Sequence, residues 1–348
     1  MFIVHPMSKK SSNQVLMRPT RQTECSRVYY HVCLIILFGI YVTVTSRCAY
    51  IPKFTPDATK IIPSASALLE CHKNPYRESL NTSLTDLLAM SNEWLASLPE
   101  HYAIARNENA LIKHTRFQPF QPFGTCNQTC VGGACREDTS KIVCGIESLK
   151  KGCIVYSIGG NNDWRFELDL LERTPCEIHT FDCTGPHSRF IKPKNDRLYF
   201  HHICLAAESV NAPETCDNGH ESICGPMMSI QHVQDMMNHT RIDLLKMDIE
   251  GFEWPILKSW PTLQEDDSAV LPYQILVEVH YISQFLQVGT PFSPQEHVKL
   301  QEHLLNMGYA TIVRDDNPHC PHCTELSLVR IKCHARNPKQ DQVSTPLV

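Results

Sequence analysis

The chain has no excess of basic residues, since 32 Lys and Arg stand against 37 Asp and Glu and give a formal net charge of −5 at pH 7. The basic residues are also spread out, whereas a nucleic-acid-binding protein needs a basic face. We therefore expect no nucleic-acid partner. Hydrophobic residues make up 42% of the 348 residues and charged residues 20%, as is ordinary for a globular protein with a sizeable core.

Two motifs are also missing. The GxGxxG fingerprint of dinucleotide-binding folds is absent, because Asn161, Asn162 and Asp163 follow the glycine pair at 159–160. This absence counts against an NAD-dependent enzyme. The cysteines lack the spacing of a paired CxxC zinc site, so we predict no metal site.

One long apolar segment is present, at residues 28–46, and it contains no Asp, Glu, Lys or Arg. It is just long enough to cross a bilayer as a helix, which needs about 20 residues. Basic residues dominate the segment before it: Lys9, Lys10, Arg18, Arg21 and Arg27, against Glu24. The positive-inside rule then predicts a cytosolic tail at 1–27, a transmembrane signal anchor at 28–46 and a lumenal remainder.

This topology is that of a type II single-pass membrane protein of the secretory pathway, with the Golgi as one candidate organelle. The alternative is a signal peptide cleaved near Ser46, after which the protein would be secreted. Both interpretations deliver the chain to the secretory pathway.

Cysteine is abundant, with 14 of the 17 cysteines at or after Cys71. Such numbers favour disulfide bonds and an oxidising compartment. Four cysteines of a Pro-, Gly- and Cys-rich connector are predicted to form disulfides: Cys126, Cys130, Cys135 and Cys144. Three sequons indicate a glycoprotein: Asn81, Asn127 and Asn238. A reduced cytosolic protein with buried thiols is the alternative.

Composition and periodicity divide the chain further. Residues 47–115 are predicted to form a stem and a helical lead-in, with a helix over 83–98 that Ser83 caps. The main domain spans 116–333 and includes the Cys-rich connector, and 334–348 form a C-terminal tail.

Within the main domain, short apolar runs predict strands at 153–158, 177–181, 198–205, 243–247 and 274–279. Helical stretches are predicted at 164–172, 230–237, 253–258 and 294–307. This alternation favours an α/β fold with a doubly wound parallel sheet. Two final strands, at 309–313 and 325–331, lack a helix between them and predict an antiparallel hairpin. A mostly parallel sheet that ends in such a hairpin is typical of Rossmann-like class I methyltransferases rather than of NAD dehydrogenases.

The first predicted strand ends at Ile158, and the following glycine pair lets the backbone turn and lets a ligand approach. The loop residues predicted to bind a cofactor are Ser157, Gly159, Gly160, Asn161 and Asp163. The second predicted strand ends at Asp182, the position at which nucleoside-binding sheets hold ribose hydroxyls. The alternative for Asp182 is an ordinary turn cap.

Acidic residues follow the strand at 243–247, where open α/β sheets bind ligands. Asp248 and Glu250 are predicted site residues, and Glu253 is assigned to stabilising a helix N-terminus. His280, at the end of the strand at 274–279, is a candidate general base for a hydroxyl; a structural histidine is the alternative.

The CxxC of Cys320 and Cys323 lies in the predicted hairpin loop rather than at a helix N-terminus. A structural disulfide is therefore expected there, and a redox-active pair is the alternative.

The run LKMDIEGFE at 245–253 closely resembles the hallmark of FkbM-type methyltransferases, and VYSIGGNNDWRFE, HTFDC and ILVEVH resemble the animal methyltransferase-like branch related to them. The resemblance covers residues 120–333. It implies a class I fold, S-adenosylmethionine as cofactor and O-methylation. By position, Gly159 would cradle the cofactor, Asp182 would hold its ribose, and Asp248 and Glu250 would line the site.

The leading hypothesis is therefore a membrane-anchored, lumenal methyltransferase that acts on a hydroxyl of a glycan or small molecule. A binding protein that keeps the fold but has lost turnover is the second hypothesis. A CxxC oxidoreductase and an NAD enzyme follow.

Overall fold

The computed structural model describes residues 68–70, 74–107, 117–137, 139–212, 216, 222–263, 271–281, 293–316, 320 and 322–334. The predicted cytosolic tail, membrane helix and stem lie outside the described residues, as does the C-terminal tail after residue 334. In the described ranges, no helix has both the length and the apolar character needed to span a bilayer.

Seven strands form the central sheet: Ile154–Ile158 (β1), Glu177–Phe181 (β2), Leu198–His201 (β3), Leu244–Met247 (β4), Gln274–His280 (β5), Tyr309–Asp315 (β6) and Cys323–Arg330 (β7). Their spatial order is β3-β2-β1-β4-β5-β7-β6. Strands β1 to β5 pair in parallel, whereas β7 pairs antiparallel with both β5 and β6. This order confirms the predicted Rossmann-like methyltransferase fold and its terminal hairpin.

The predicted strand at 198–205 is wrong in its length. The backbone N–H of Ile203 donates to the carbonyl of His201 at 2.8 Å, so the chain turns after β3. A separate short strand, Cys204–Leu205, then pairs with Met227–Met228 outside the central sheet.

The helices of the described chain are Leu84–Ala96 (α1), Leu98–Asn107 (α2), Arg165–Arg173 (α3), Ile230–Met237 (α4), Glu253–Ser259 (α5) and Pro294–Asn306 (α6). The hydroxyl of Ser83 caps α1 as predicted. The lead-in is nevertheless two helices, because Pro99 lacks the N–H that a continuous helix would need and fits only the first turn of a new one.

Both faces of the sheet are covered. Val155 of β1 packs with Leu170 of α3 on one face, whereas the neighbouring Tyr156 packs with the cluster of Val233 and Trp254 on the other. Every residue of β4 and β5 is buried, as a doubly covered parallel sheet requires.

Disulfides join all the described cysteines. The connector cysteines form Cys126–Cys144 and Cys130–Cys135, as predicted for this group, and fix a small hairpin of Gln128–Val131 with Lys141–Cys144. Cys320 and Cys323 bond to each other, in agreement with the expected structural disulfide.

Candidate active site

A cavity of about 790 Å³ opens where β1, β2 and β4 end. Its volume lies within the range of small-molecule sites, roughly 300–1,000 Å³. The predicted site residues that line it are Gly159, Gly160, Asn161, Asp163, Asp182, Asp248 and Glu250. Three separate sequence segments therefore meet in one cavity, as the fold predicts for carboxyl ends of parallel strands.

The loop after β1 depends on Gly159. Its φ is 78°, and a Cβ built on it would lie 1.9 Å from the carbonyl oxygen of Asp248. The glycine thus permits close contact between the loops after β1 and β4. Asn161 and Asn162 follow with φ of 47° and 62°, a conformation that Asn tolerates better than most residues. The chain therefore makes a glycine-like turn without further glycines.

Asp182 joins the loop after β1 to the end of β2. Its carboxylate accepts the backbone N–H of Asn161 at 2.7 Å and the backbone N–H and hydroxyl of Thr184 at 2.9 and 2.6 Å. A carboxylate offers about four acceptor positions, so one remains for a ligand hydroxyl at the cavity wall. Asp182 therefore lines the cavity and also caps the turn, and its contact with a ribose stays a prediction.

An apolar wall lies beside Asp182. Leu205, Ile223 and Met227 line the cavity there, next to Cys204, which is bonded to Cys183. Such a surface suits a flat aromatic base. Sequence reasoning missed this wall, because its residues come from short segments without a periodic pattern.

The opposite end of the cavity is strongly charged. The ammonium of Lys141, only 1% exposed, lies 3.1 Å from Asp248 Oδ2 and 3.4 Å from Glu278 Oε2, and it also contacts Glu325. Lys141 comes from the disulfide-bonded hairpin, which the sequence presented only as a connector. It is the main charged residue that sequence reasoning missed.

Burial and neighbouring charges set the protonation of this cluster. Burial alone would raise the pKa of Asp248, but Lys141 and Lys246 outweigh it and hold that pKa below its usual range. For Glu278, burial and the charge of Asp248 raise the pKa to about 9, despite Lys141. Burial raises the pKa of Glu325 to about 7 against the pull of Lys141. Asp248 is therefore an anion at neutral pH, whereas Glu278 carries its proton.

His280 lies behind the cavity wall rather than in it. Its Nδ1 lies 3.2 Å from Glu253 Oε1 and its Nε2 lies 3.5 Å from Glu250 Oε2. Burial would lower its pKa, but Glu253 and the nearby acids outweigh burial and raise the pKa to about 10. An imidazolium cannot take a proton, so this charge disfavours the predicted role of general base.

Ser157 also lies outside the cavity lining. It is fully buried, and its hydroxyl donates to Glu167 Oε1 at 2.5 Å, so it does not face a ligand as predicted. Asp163 lines the cavity, but its carboxylate pairs with Arg165 at 2.5 Å. Glu253 accepts the N–H of Gly251 at 2.8 Å and that of His280 at 2.7 Å, which fits its predicted place at the start of α5.

The sheet order, the loop after β1, the acid at the tip of β2 and the shared cavity define a Rossmann-like methyltransferase. The profile of the family described as methyltransferase domain matches residues 99–330, and the chain belongs to this family. Its cofactor is S-adenosylmethionine. The residues fit this cofactor, since Asp182 offers an acceptor to ribose and the apolar wall lies where the base would follow.

Individual relatives are distant. The chain is 24% identical over 131 residues to probable methyltransferase-like protein 24 of Homo sapiens and to that of Rattus norvegicus. The matched segment covers 37% of this chain and 33% of each relative. The match thus spans about a third of the length of these curated relatives.

Solved structures with some similarity are a Methanococcus jannaschii fibrillarin pre-rRNA processing protein and a Burkholderia thailandensis 1,6-didemethyltoxoflavin-N1-methyltransferase. The first has a TM-score of 0.34 at 12% identity and covers 54% of this chain and 70% of its own. The second has a TM-score of 0.30 at 12% identity and covers 52% and 72%. At these TM-scores the likeness adds nothing to the sheet order described above.

Proposed function

We propose that this protein is an FkbM-type O-methyltransferase that acts on a hydroxyl of a glycan or small molecule in the secretory pathway. The observation that supports the proposal most directly is the single cavity shared by Asp182, Asp248 and Glu250. S-adenosylmethionine, when bound, supplies an activated methyl group. The residues of the chain then have to orient a substrate hydroxyl towards that methyl group and accept the proton of the hydroxyl.

Glu250 is the best candidate for the proton acceptor. Its side chain is 45% exposed and lines the cavity, and its φ of 56° places a non-glycine residue in the left-handed region. Such strained conformations concentrate at functional sites. Lys141 holds Asp248 as an anion. Asp248 accepts a hydrogen bond from the substrate hydroxyl that receives the methyl group, and so orients that hydroxyl. A positioned hydroxyl converts a bimolecular reaction into a local one.

The chemistry of the surface supports a lumenal location. The described cysteines are all in disulfides, and reduced compartments rarely maintain such bonds. The sequon residues Asn81, Asn127 and Asn238 are all exposed. Anchoring through residues 28–46 remains part of the proposal. Expression in secretory cells followed by N-glycosidase digestion tests it, and unmodified sequons at all three positions would contradict it.

The activity test uses the full-length chain, labelled S-adenosylmethionine and a mixture of lumenal glycans. We expect label in a glycan or small-molecule fraction. The rate of Glu250→Gln should be at least roughly 100-fold lower than that of wild type, as expected when a general base is lost. Glu172→Gln, an exposed acid on α3, is the matched control and should keep the wild-type rate.

A protein that binds the cofactor without turnover is the alternative. Asn161 stands where many methyltransferases have a glycine, which would support this alternative, but Asn161 adopts the glycine-like turn and its N–H donates to Asp182. Tight cofactor binding with no methyl transfer to any acceptor class would favour this alternative.

A further inference from the structure

Glu167 is a buried acid at the cavity that has no role in the proposed methyl transfer. It lies in the first turn of α3, is 1% exposed and lines the cavity. Its Oε1 accepts the hydroxyl of Ser157, whereas its Oε2 is buried and has no hydrogen-bond partner. A buried polar atom without a partner costs free energy, and native proteins rarely retain one.

The other acids of the cavity already have partners. Asp163 pairs with Arg165, Asp248 pairs with Lys141, and Glu250 lies 3.5 Å from His280. Asp182 accepts three hydrogen bonds from the loops. Glu167 is the cavity-lining acid of the described chain that combines full burial with an open oxygen.

Burial raises the pKa of Glu167 and the charge of Lys246 opposes this rise, so Lys246 is a candidate partner, but its ammonium is engaged elsewhere. Its ammonium donates to the carbonyls of Ile158 and Gly159 at 3.2 and 2.7 Å. Among the described ion pairs, none joins Lys246 to Glu167. The lysine therefore fixes the loop after β1 and leaves the second oxygen of Glu167 to a ligand.

The position of Glu167 indicates which part of the cofactor it would contact. Asp182 and the apolar wall lie towards β2 and β3, whereas Glu167 and Ser157 lie on the β1 side of the loop. If Asp182 held the ribose and the apolar wall held the base, the aminoacyl end would extend across the loop towards β1. That end carries an ammonium, the group that best compensates a buried carboxylate.

We propose that Glu167 binds the α-ammonium of the aminoacyl end of S-adenosylmethionine, as a cofactor-binding residue that Ser157 holds in place. The inference rests on the cofactor assigned to the family. Ser157 then acts as a positioning residue, because its hydroxyl donates to Oε1 and fixes a carboxylate that lines the cavity.

Calorimetric titration of the oxidised full-length protein tests this role with three ligands. S-adenosylhomocysteine carries the ammonium, its deaminated analogue lacks only that group, and 5′-methylthioadenosine lacks the whole aminoacyl end. We expect wild-type protein to bind S-adenosylhomocysteine about tenfold or more tightly than the deaminated analogue, the equivalent of one charge-assisted hydrogen bond. This comparison needs no variant and holds even if a substitution unfolds the chain.

Glu167→Gln keeps the shape and removes the charge. It should weaken S-adenosylhomocysteine binding about tenfold or more and leave methylthioadenosine binding within about twofold. Asp243→Asn is the matched control, because Asp243 is a buried carboxylate before β4, at the opposite end of the sheet, where it accepts the N–H of Ile154. It should leave both affinities unchanged.

Equal wild-type affinities for S-adenosylhomocysteine and its deaminated analogue would overturn the inference. So would a Glu167→Gln protein that binds S-adenosylhomocysteine normally, or one that loses all three ligands in parallel, which indicates a structural role. If wild-type protein binds none of the ligands, the cofactor assignment fails, and the inference fails with it.

Discussion

Lys141 is the residue that holds Asp248 as an anion at the charged end of the cavity. It is nearly fully buried, yet it lies among Asp248, Glu278 and Glu325, and a buried ammonium is stable only with such partners. The arrangement holds Asp248 as an anion at the cavity while Glu278 keeps a proton. Lys141 thus keeps Asp248 charged, whereas burial and the charge of Asp248 keep Glu278 neutral.

The proton on Glu278 gives a pH dependence of stability. Its pKa is about 9 in the folded chain against 4.5 for the ordinary group, so the folded state holds one more proton between these values. The free energy of unfolding therefore falls as pH rises through this window, by on the order of 1 kcal/mol per pH unit from this group. Below it both states are protonated and the effect vanishes.

Glu278→Gln should make this fall shallower, because the amide stays neutral in both states. Denaturant unfolding of the oxidised protein between about pH 6 and pH 8 measures the slope. Glu172→Gln, at an exposed position, should retain the wild-type slope. Parallel slopes for Glu278→Gln and wild type would show that Glu278 is ionised in the folded state.

At the scale of elements, the site depends on how the loop after β1 meets the loop after β4. Gly159 lies directly against the backbone of Asp248, and the neighbouring Lys246 fixes the same loop through two carbonyls. The glycine is therefore required by contact between elements, and not only by the approach of a ligand.

Gly159→Ala should cost about 3 kcal/mol or more of stability, since it combines an unfavourable positive φ with a backbone clash. Gly152 gives a matched control, because its φ of 82° is similar but a Cβ there would meet only Arg241 Nη2 at 3.9 Å. Gly152→Ala should cost only about 1–2 kcal/mol. Equal losses in thermal unfolding would show that the contact with Asp248 is unimportant.

The bounds of several strands and helices can be predicted from the sequence. Glu177–Phe181 and Ile230–Met237 begin and end as their apolar patterns predict. Burial on both faces gives the strand a continuous apolar run, and burial of one face gives the helix a helical period. The place of β7 between β5 and β6 does not follow, since the choice of strand partner depends on residues far apart in the chain.

The site divides in the same way. The sequence could predict three cavity acids, Asp182, Asp248 and Glu250, because each follows an apolar run that marks the end of a strand. Lys141 could not be predicted, because it reaches the cavity from a hairpin fixed by disulfides. The charge on His280 depends on Glu253, which only the fold brings to its ring.

At the scale of the whole molecule, disulfides recur along the domain. One bridges the connector hairpin, a second joins Cys153 before β1 to Cys176 before β2, and a third joins Cys183 to Cys204 beside the apolar wall. They constrain the unfolded chain and so stabilise the folded one. The cavity is therefore held in an oxidised framework, in keeping with the proposed lumenal role.

Cofactor binding at Asp182 is tested by titration of S-adenosylhomocysteine into the oxidised full-length protein and its Asp182→Asn variant. Wild-type protein should bind one equivalent, and the variant about tenfold to 100-fold more weakly, because it loses a hydrogen bond to a charged group. Asp235→Asn, an exposed control on α4, should match wild type. Absence of binding to wild type would show that the cavity is not a cofactor site, and equal binding to Asp182→Asn would show that Asp182 does not hold the cofactor.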